Sequence, residues 1–214
     1  MLTGHFAAAL ALKKYDNSIP LWVLFAASQL VDIVFVVLLL LGIEDLRIIP
    51  GFNASNDLDH YYYPFTHGLI ITPLWVLGFI GLYAIKHKIN TRVFVILGLA
   101  VASHWLFDLF THTPDLPLIG DNYKVGFGLM NYPLLSFALE ALFIVTGSWI
   151  YLKHQPNLNR KKIVAVCILG LLLLIPPAVG PIMPTPHSVN SVAVSGLIMY
   201  SFFTAVAYFV GRLK

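Results

Sequence analysis

Six apolar runs, at about 20–42, 68–86, 92–112, 132–152, 162–180 and 191–211, make up most of this 214-residue chain. Each is long enough to cross the ~30 Å hydrocarbon core of a bilayer. A backbone placed there finds no water to pair with, so a segment that crosses alone must be helical. The composition agrees, with 58% hydrophobic and 11% charged residues, where soluble domains carry about 25% charged. The expected fold is an all-α, polytopic membrane helix bundle: six transmembrane helices in one membrane domain over 1–214. An N-terminal half helix over 1–14 precedes them, and its Thr3–Lys14 stretch is ~18 Å long, half-inserted or interfacial. Four helices over 20–152 carry the polar residues, and 162–211 adds two more. Pro20, Pro133 and the Asn190-Ser191 pair stand near helix starts, whereas Ile175-Pro176-Pro177 is expected to end the fifth segment early.

The charges settle orientation. Of the 13 Lys and Arg residues, all but Arg47 and Lys124 fall on one side, from Lys13-Lys14 through Lys86, Lys88, Arg92, Lys153 and Arg160-Lys161-Lys162 to Arg212 and Lys214. That side is expected to be cytoplasmic. The net charge of +3 therefore reads as topology, with no basic groove for nucleic acid. Lys13-Lys14 follow the first apolar stretch, the reverse of a secretory signal, so these residues are expected in the mature protein. The single Cys167 excludes an intramolecular disulfide and thiolate zinc sites.

The apolar runs contain polar residues that are costly there. In Ser103-His104-Trp105-Leu106-Phe107-Asp108-Leu109-Phe110-Thr111-His112, His104, Asp108 and His112 stand at i, i+4 and i+8, drifting only about 80° around a helix while rising about 12 Å. A carboxylate near mid-membrane costs ~2.5–3.5 kcal/mol and persists only when paired, ligated or hydrated. Counted from the basic side, Asp32 lies about 18 Å deep, His104 about 18 Å and Asp108 about 24 Å. Glu140, counted from the opposite side, is also about 18 Å deep in a core of ~30 Å. His67 and His112 fall at the outer boundary, and His5 reaches ~12 Å if the first helix inserts. Agreement in depth among helices points to one site in the outer half of the membrane, although amides and carboxylates also join transmembrane helices with no ligand. The candidate metal ligands are His5, Asp32, His67, His104, Asp108 and His112; Glu140 and Asp108 are candidates for proton transfer. The segment 114–131 reads as an outer lid. Its Lys124, Asp115 and Asn131, together with Gln29, are candidates for substrate contact, Lys124 by gripping an anionic head group. His60, beside Asp57 and Asp59, reads as solvated, Tyr62-Tyr63 as an interfacial belt, His87 and His154 as bystanders on the basic side, and His187 as a surface residue.

Imidazoles and carboxylates without thiolate suit Zn²⁺ and admit Mn²⁺ or Fe²⁺. Such an ion lowers the pKa of bound water to about 7 and polarises carbonyl or phosphoryl oxygens, so hydrolysis follows from the same residues. There are more donors than one ion needs, which leaves a two-metal site open. A site at this depth reaches a lipid head group or the ester below it, so membrane lipid is both environment and expected substrate.

The residues Gly4-His5, Gln29-x-x-Asp32, Tyr63-Pro64-x-x-His67-Gly68 and Ser103-His104-x3-Asp108-x3-His112 resemble a family of bacterial integral-membrane proteins over most of the chain. The likeness extends through Pro114-Asp115-Leu116-Pro117, Lys124-Val125-Gly126-x-Gly128-Leu129-x-Asn131 and Glu140. The order of these motifs is similar to that of the LexA-regulated, inner-membrane metal-dependent hydrolases, whose ligand style looks like that of zinc phospholipase C and P1-type nucleases. The resemblance implies a hydrolase. Where that group shows Pro-Asp-x-Asp-His and His-Arg, this chain has Leu30-Val31-Asp32-Ile33-Val34 and His60-Tyr61; the missing second acid favours one ion over two. Two rival readings use the same residues: a permease or proton/metal-ion carrier, with its acids spread along a path, and a metal-stabilised membrane scaffold, with a closed ligand set. The sequence is silent on oligomeric state.

Overall fold

The computed structural model describes residues 1–156 and 158–213; Lys214, counted above with the basic side, lies outside the described residues. Among these residues the helices are α1 (Phe6–Leu12), α2 (Leu21–Ser28), α3 (Leu30–Leu40), α4 (Thr72–Ala84), α5 (Thr91–Thr111), α6 (Pro133–Lys153), α7 (Arg160–Val179) and α8 (Val189–Arg212). Four helices are long and apolar enough to cross a membrane: α5, α6, α7 with its 3₁₀ extension to Ile182, and α8. The pair α2 and α3, bent by 56° at their junction, is long and apolar enough only when taken together, as a broken span or a re-entrant loop.

Four or five candidate spans are found where six were expected. The run 68–86 yields only the 13 residues of α4, ~20 Å against the ~30 Å required. The residues before α4 are drawn elsewhere: the Leu69 and Ile70 amides donate to the carbonyls of Pro117 and Leu118, both at 3.1 Å. An all-helical chain is corrected too, because Asp45–Ile48 (β1) and Leu58–Tyr62 (β2) pair as an antiparallel two-stranded sheet.

Pro176-Pro177 does not end α7, which continues to Val179. Pro177 has no N–H for the carbonyl four residues earlier, that of Leu173. Thr3 Oγ1 donates to that carbonyl at 2.6 Å, so the defect docks the N-terminal segment. The segment inserts among the other helices: Phe6, Ala7, Ala8, Ala9 and Leu10 are all buried. Small residues allow the approach, since a Cβ at Gly147 of α6 would lie 2.6 Å from the Ala7 carbonyl oxygen.

Two apolar clusters flank the polar layer. Phe6, Leu10, Leu24, Phe25, Val93, Leu97, Ile144, Leu169 and Phe203 form the larger one, on the basic-end halves of α2 and α5. Phe35, Val36, Leu39, Leu46, Tyr63 and Leu116 form the other, between α3 and the sheet. Outward, α6, α7 and α8 present Leu134, Leu142, Trp149, Leu171, Ile198 and Phe209, a surface suited to hydrocarbon and costly in water.

Candidate metal centre

The bend between α2 and α3 supplies the first part of the site. Helical turns leave their last carbonyls unpaired, and the Ser28 carbonyl at the end of α2 accepts from His104 Nδ1 at 3.0 Å. Gln29 at the junction donates its side-chain amide to Asp32, which sits in the first turn of α3, where the helix dipole favours negative charge. Helix α5, capped by Asn90 accepting from the Val93 amide at 2.9 Å, carries His104 and Asp108 one turn apart, and both are buried.

His67 is aimed from a loop. Glu44 accepts from the amides of Phe65 at 2.8 Å and Thr66 at 2.9 Å, and from the Thr66 hydroxyl at 2.7 Å. That hydroxyl has spent its proton, so it accepts from His67 Nδ1, 2.8 Å away. His112, at the end of α5, has its Nδ1 2.9 Å from Asp115 Oδ1. His67 and His104 each have Nδ1 on an acceptor and Nε2 turned inward, the arrangement that ligating histidines adopt.

The inward atoms converge. Asp32 Oδ1 lies 3.2 Å from His67 Nε2 and 3.5 Å from His104 Nε2, while Asp108 Oδ2 lies 3.1 Å from His104 Nε2 and 3.8 Å from His67 Nε2. Two ligands on a tetrahedral zinc with bonds of about 2.0–2.1 Å stand ~3.3 Å apart. His104 Nε2 and Asp108 Oδ2 are buried without a hydrogen-bond partner. With its proton on Nδ1, a neutral His104 directs a lone pair at two carboxylates, and a cation between them turns that repulsion into attraction. The buried groups Asp32, His67 and His104, and His5, His104 and Asp108, each bring ligand atoms within 4.8 Å of one another and could hold a metal ion.

His5 joins this layer: its ring stacks on His104 at 3.7 Å and 10°, and its Nε2 lies 3.1 Å from Asp108 Oδ1. The α-amino group of Met1 also donates to Asp108, and to Thr111 Oγ1 at 2.8 Å. Glu140 accepts the amides of Leu2 at 3.2 Å, Thr3 at 3.0 Å and Gly4 at 2.8 Å. Its carboxylate thus closes the amide end of α1. Gly4 permits this, since a Cβ there would meet Met1 Sδ at 2.6 Å and Glu140 Cγ at 3.3 Å.

The predicted substrate contacts divide. Gln29 and Asp115 touch the ligand residues, as described. Lys124 is held elsewhere, with its Nζ 2.5 Å from the Tyr61 carbonyl and 2.8 Å from Asp121, and Asn131 belongs to a 3₁₀ turn over Leu129–Asn131. Neither lines the cavity of about 600 Å³ that reaches Asp32, His60, His67, His112 and Tyr200 on its polar side and Phe137, Pro176 and Met199 on its apolar side. His187 lines it as well. A second, apolar space of about 440 Å³ lies between α7 and α8 and shares Pro176, Ser195 and Met199 with the first. His87 and His154 stand apart, one stacked on Tyr83 at 4.3 Å and the other bonded to the Ile150 carbonyl at 2.9 Å.

Sequence reasoning misses His60, Tyr63, Glu44 and Thr66. His60 packs on Tyr63 and His112 with centroids 5.8 and 5.4 Å away, and burial, aided by His112, lowers its pKa to about 4. Asp115 is held below the usual carboxylate range: burial pushes upward, and His112 outweighs it. Tyr63, read as an interfacial residue, is fully buried, with its hydroxyl 3.3 Å from His112 Nδ1. Strand alternation over Leu58–Tyr62 is the one signal that could place His60 on the same face as Leu58. No protein-family model, curated protein or solved structure matches this chain.

Proposed function

We propose that the protein is a membrane-embedded metal-dependent hydrolase of a lipid-like ester or phosphoester, with its site toward the non-cytoplasmic leaflet of a bacterial inner membrane. The observation that carries this reading is the set of anchored imidazoles whose free nitrogens face two buried carboxylates beside a cavity with one polar and one apolar side. The resemblance to the LexA-regulated membrane hydrolases points the same way. Asp32, His67 and His104 would hold one ion, and their N/O donor set suits Zn²⁺ before Mn²⁺ or Fe²⁺. Bound there, it would supply a water of pKa about 7 and polarise a carbonyl or phosphoryl oxygen.

The chain's own residues do the rest. Asp108, with its unpartnered Oδ2, accepts a proton from the attacking water. The water oxygen bonds to the acyl carbon or phosphorus, the ester C–O or P–O bond breaks, and the proton passes to the leaving oxygen. Glu140, occupied by three backbone amides, fixes the segment that carries His5. The apolar side of the cavity and the space between α7 and α8 accommodate an acyl chain.

A carrier would need polar groups continuing toward the basic ends of the helices. From His104 back to Arg92 the buried side chains of α5 are Val101, Ala100, Leu97, Ile96 and Val93, which favours the enzyme. The test is metal content of the detergent-purified protein, with hydrolysis of a panel of lipid esters and phosphoesters, for wild type, His104→Ala and Asp108→Ala. Near-stoichiometric zinc or manganese in wild type, lost in both variants together with hydrolysis, is expected. A wild type that takes up no metal when zinc is supplied would sink the hydrolase.

A further inference from the structure

The donors that the first centre leaves over form a second group. We infer that His60, His112 and Asp115 bind a second divalent cation at the mouth of the cavity, a proposal that rests on reading the buried cluster as metal-binding. Their ligand atoms all lie within 4.8 Å of one another. The fold brings His60, from β2, to His112 and Asp115, which stand three residues apart at the end of α5 and in the loop after it. His60 Nδ1 is buried and has no hydrogen-bond partner, although its ring is fixed between Phe35, Tyr63 and His112. A buried polar atom left unpaired is destabilising, and a cation at this position removes the cost.

Asp115 is prepared for the role. Its Oδ2 accepts from Thr113 Oγ1 at 2.9 Å, and its Oδ1 lies 2.9 Å from His112 Nδ1 and 3.4 Å from the Tyr63 hydroxyl. Carboxylates that bind metals are themselves hydrogen-bonded in this way. His60 and His112 both line the cavity, so two imidazoles and one carboxylate leave a side open to water or substrate, the pattern of a reactive site. The donors select Zn²⁺, with Mn²⁺ next, over Mg²⁺ or Ca²⁺.

The competing account is that Asp115 only takes the Nδ1 proton of His112, turning Nε2 toward Asp108 Oδ1, 3.7 Å away. One neutral imidazole cannot do both: with a cation on Nδ1, the proton sits on Nε2 and faces Asp108. The competing account also leaves His60 unexplained.

Metal equivalents per chain decide between them. Detergent-purified protein is equilibrated with zinc, freed of excess and measured by mass spectrometry, for wild type, His60→Phe and Asp115→Asn. His60→Phe keeps a ring in the aromatic pocket, and thermal unfolding in detergent checks the fold of each variant. Two equivalents in wild type and one in either folded variant are expected. One equivalent in all three overturns the second site and leaves the first standing. Two equivalents in all three also overturn it. None in wild type overturns both sites and the hydrolase with them. If His60→Phe fails to fold, Asp115→Asn decides alone.

Discussion

Glu44 never approaches the metal-ligand atoms, yet His67 depends on it. Its carboxylate fixes the Thr66 hydroxyl, and that hydroxyl fixes the ring. Outer partners of this kind are worth roughly 10–100-fold in metal affinity, so Glu44→Gln should weaken zinc binding by about tenfold in a chelator competition. Burial, outweighing the hydrogen bonds from Thr66, raises the Glu44 pKa above 4.5. The folded state then keeps this proton to higher pH than the unfolded state does, and the associated stability is lost as pH rises through the folded value. Glu44→Gln cannot titrate, so the stability of wild type relative to the variant should fall as pH rises past the ordinary glutamate range; a difference that grows as pH rises would refute the assignment. Asp32, His104, Asp108 and Glu140 are legible in the sequence because a charge inside an apolar run has few reasons to be there. Glu44, Thr66 and His60 are not, because polar residues in a polar loop carry no such signal until the loop folds back over the helices.

At the scale of elements, the polar layer is built from interruptions in regular structure. The bend at Gln29 frees the Ser28 carbonyl for His104, and Pro177 frees the Leu173 carbonyl for Thr3. Apolar length predicts α5 to α8 well, since their runs have no competing partner. It fails for α4, whose leading residues pair with the loop at Pro117 and Leu118, and for the sheet, whose strands are too short and too polar to stand out. The Pro177 account yields a cycle. Thr3→Val strands a buried carbonyl and should cost about 1–3 kcal/mol, read from thermal unfolding in detergent. Pro177→Ala restores the intrahelical N–H and should recover most of that loss in the double variant. Strict additivity of the two changes would show that Thr3 does not serve the proline gap.

The whole molecule combines a polar layer, an apolar core on its basic side and a cavity that continues sideways between α7 and α8. The junction of cavity and groove is made by Pro176, Ser195 and Met199. If a lipid chain occupies this passage while its ester meets Asp32, His67 and His104, the passage selects for chain length and the polar layer does not. Ser195→Trp fills the junction with a large rigid ring and leaves the metal ligands untouched, so metal content should match wild type. Hydrolysis of a long-chain lipid should fall by roughly tenfold in kcat/KM, and that of a short-chain, water-soluble analogue by less than about twofold. Equal losses on both substrates would mean that the ring disturbs the centre itself. An unchanged long-chain rate would mean that substrate enters from the outer mouth, past His60 and His187, and that the space between α7 and α8 holds only bulk lipid.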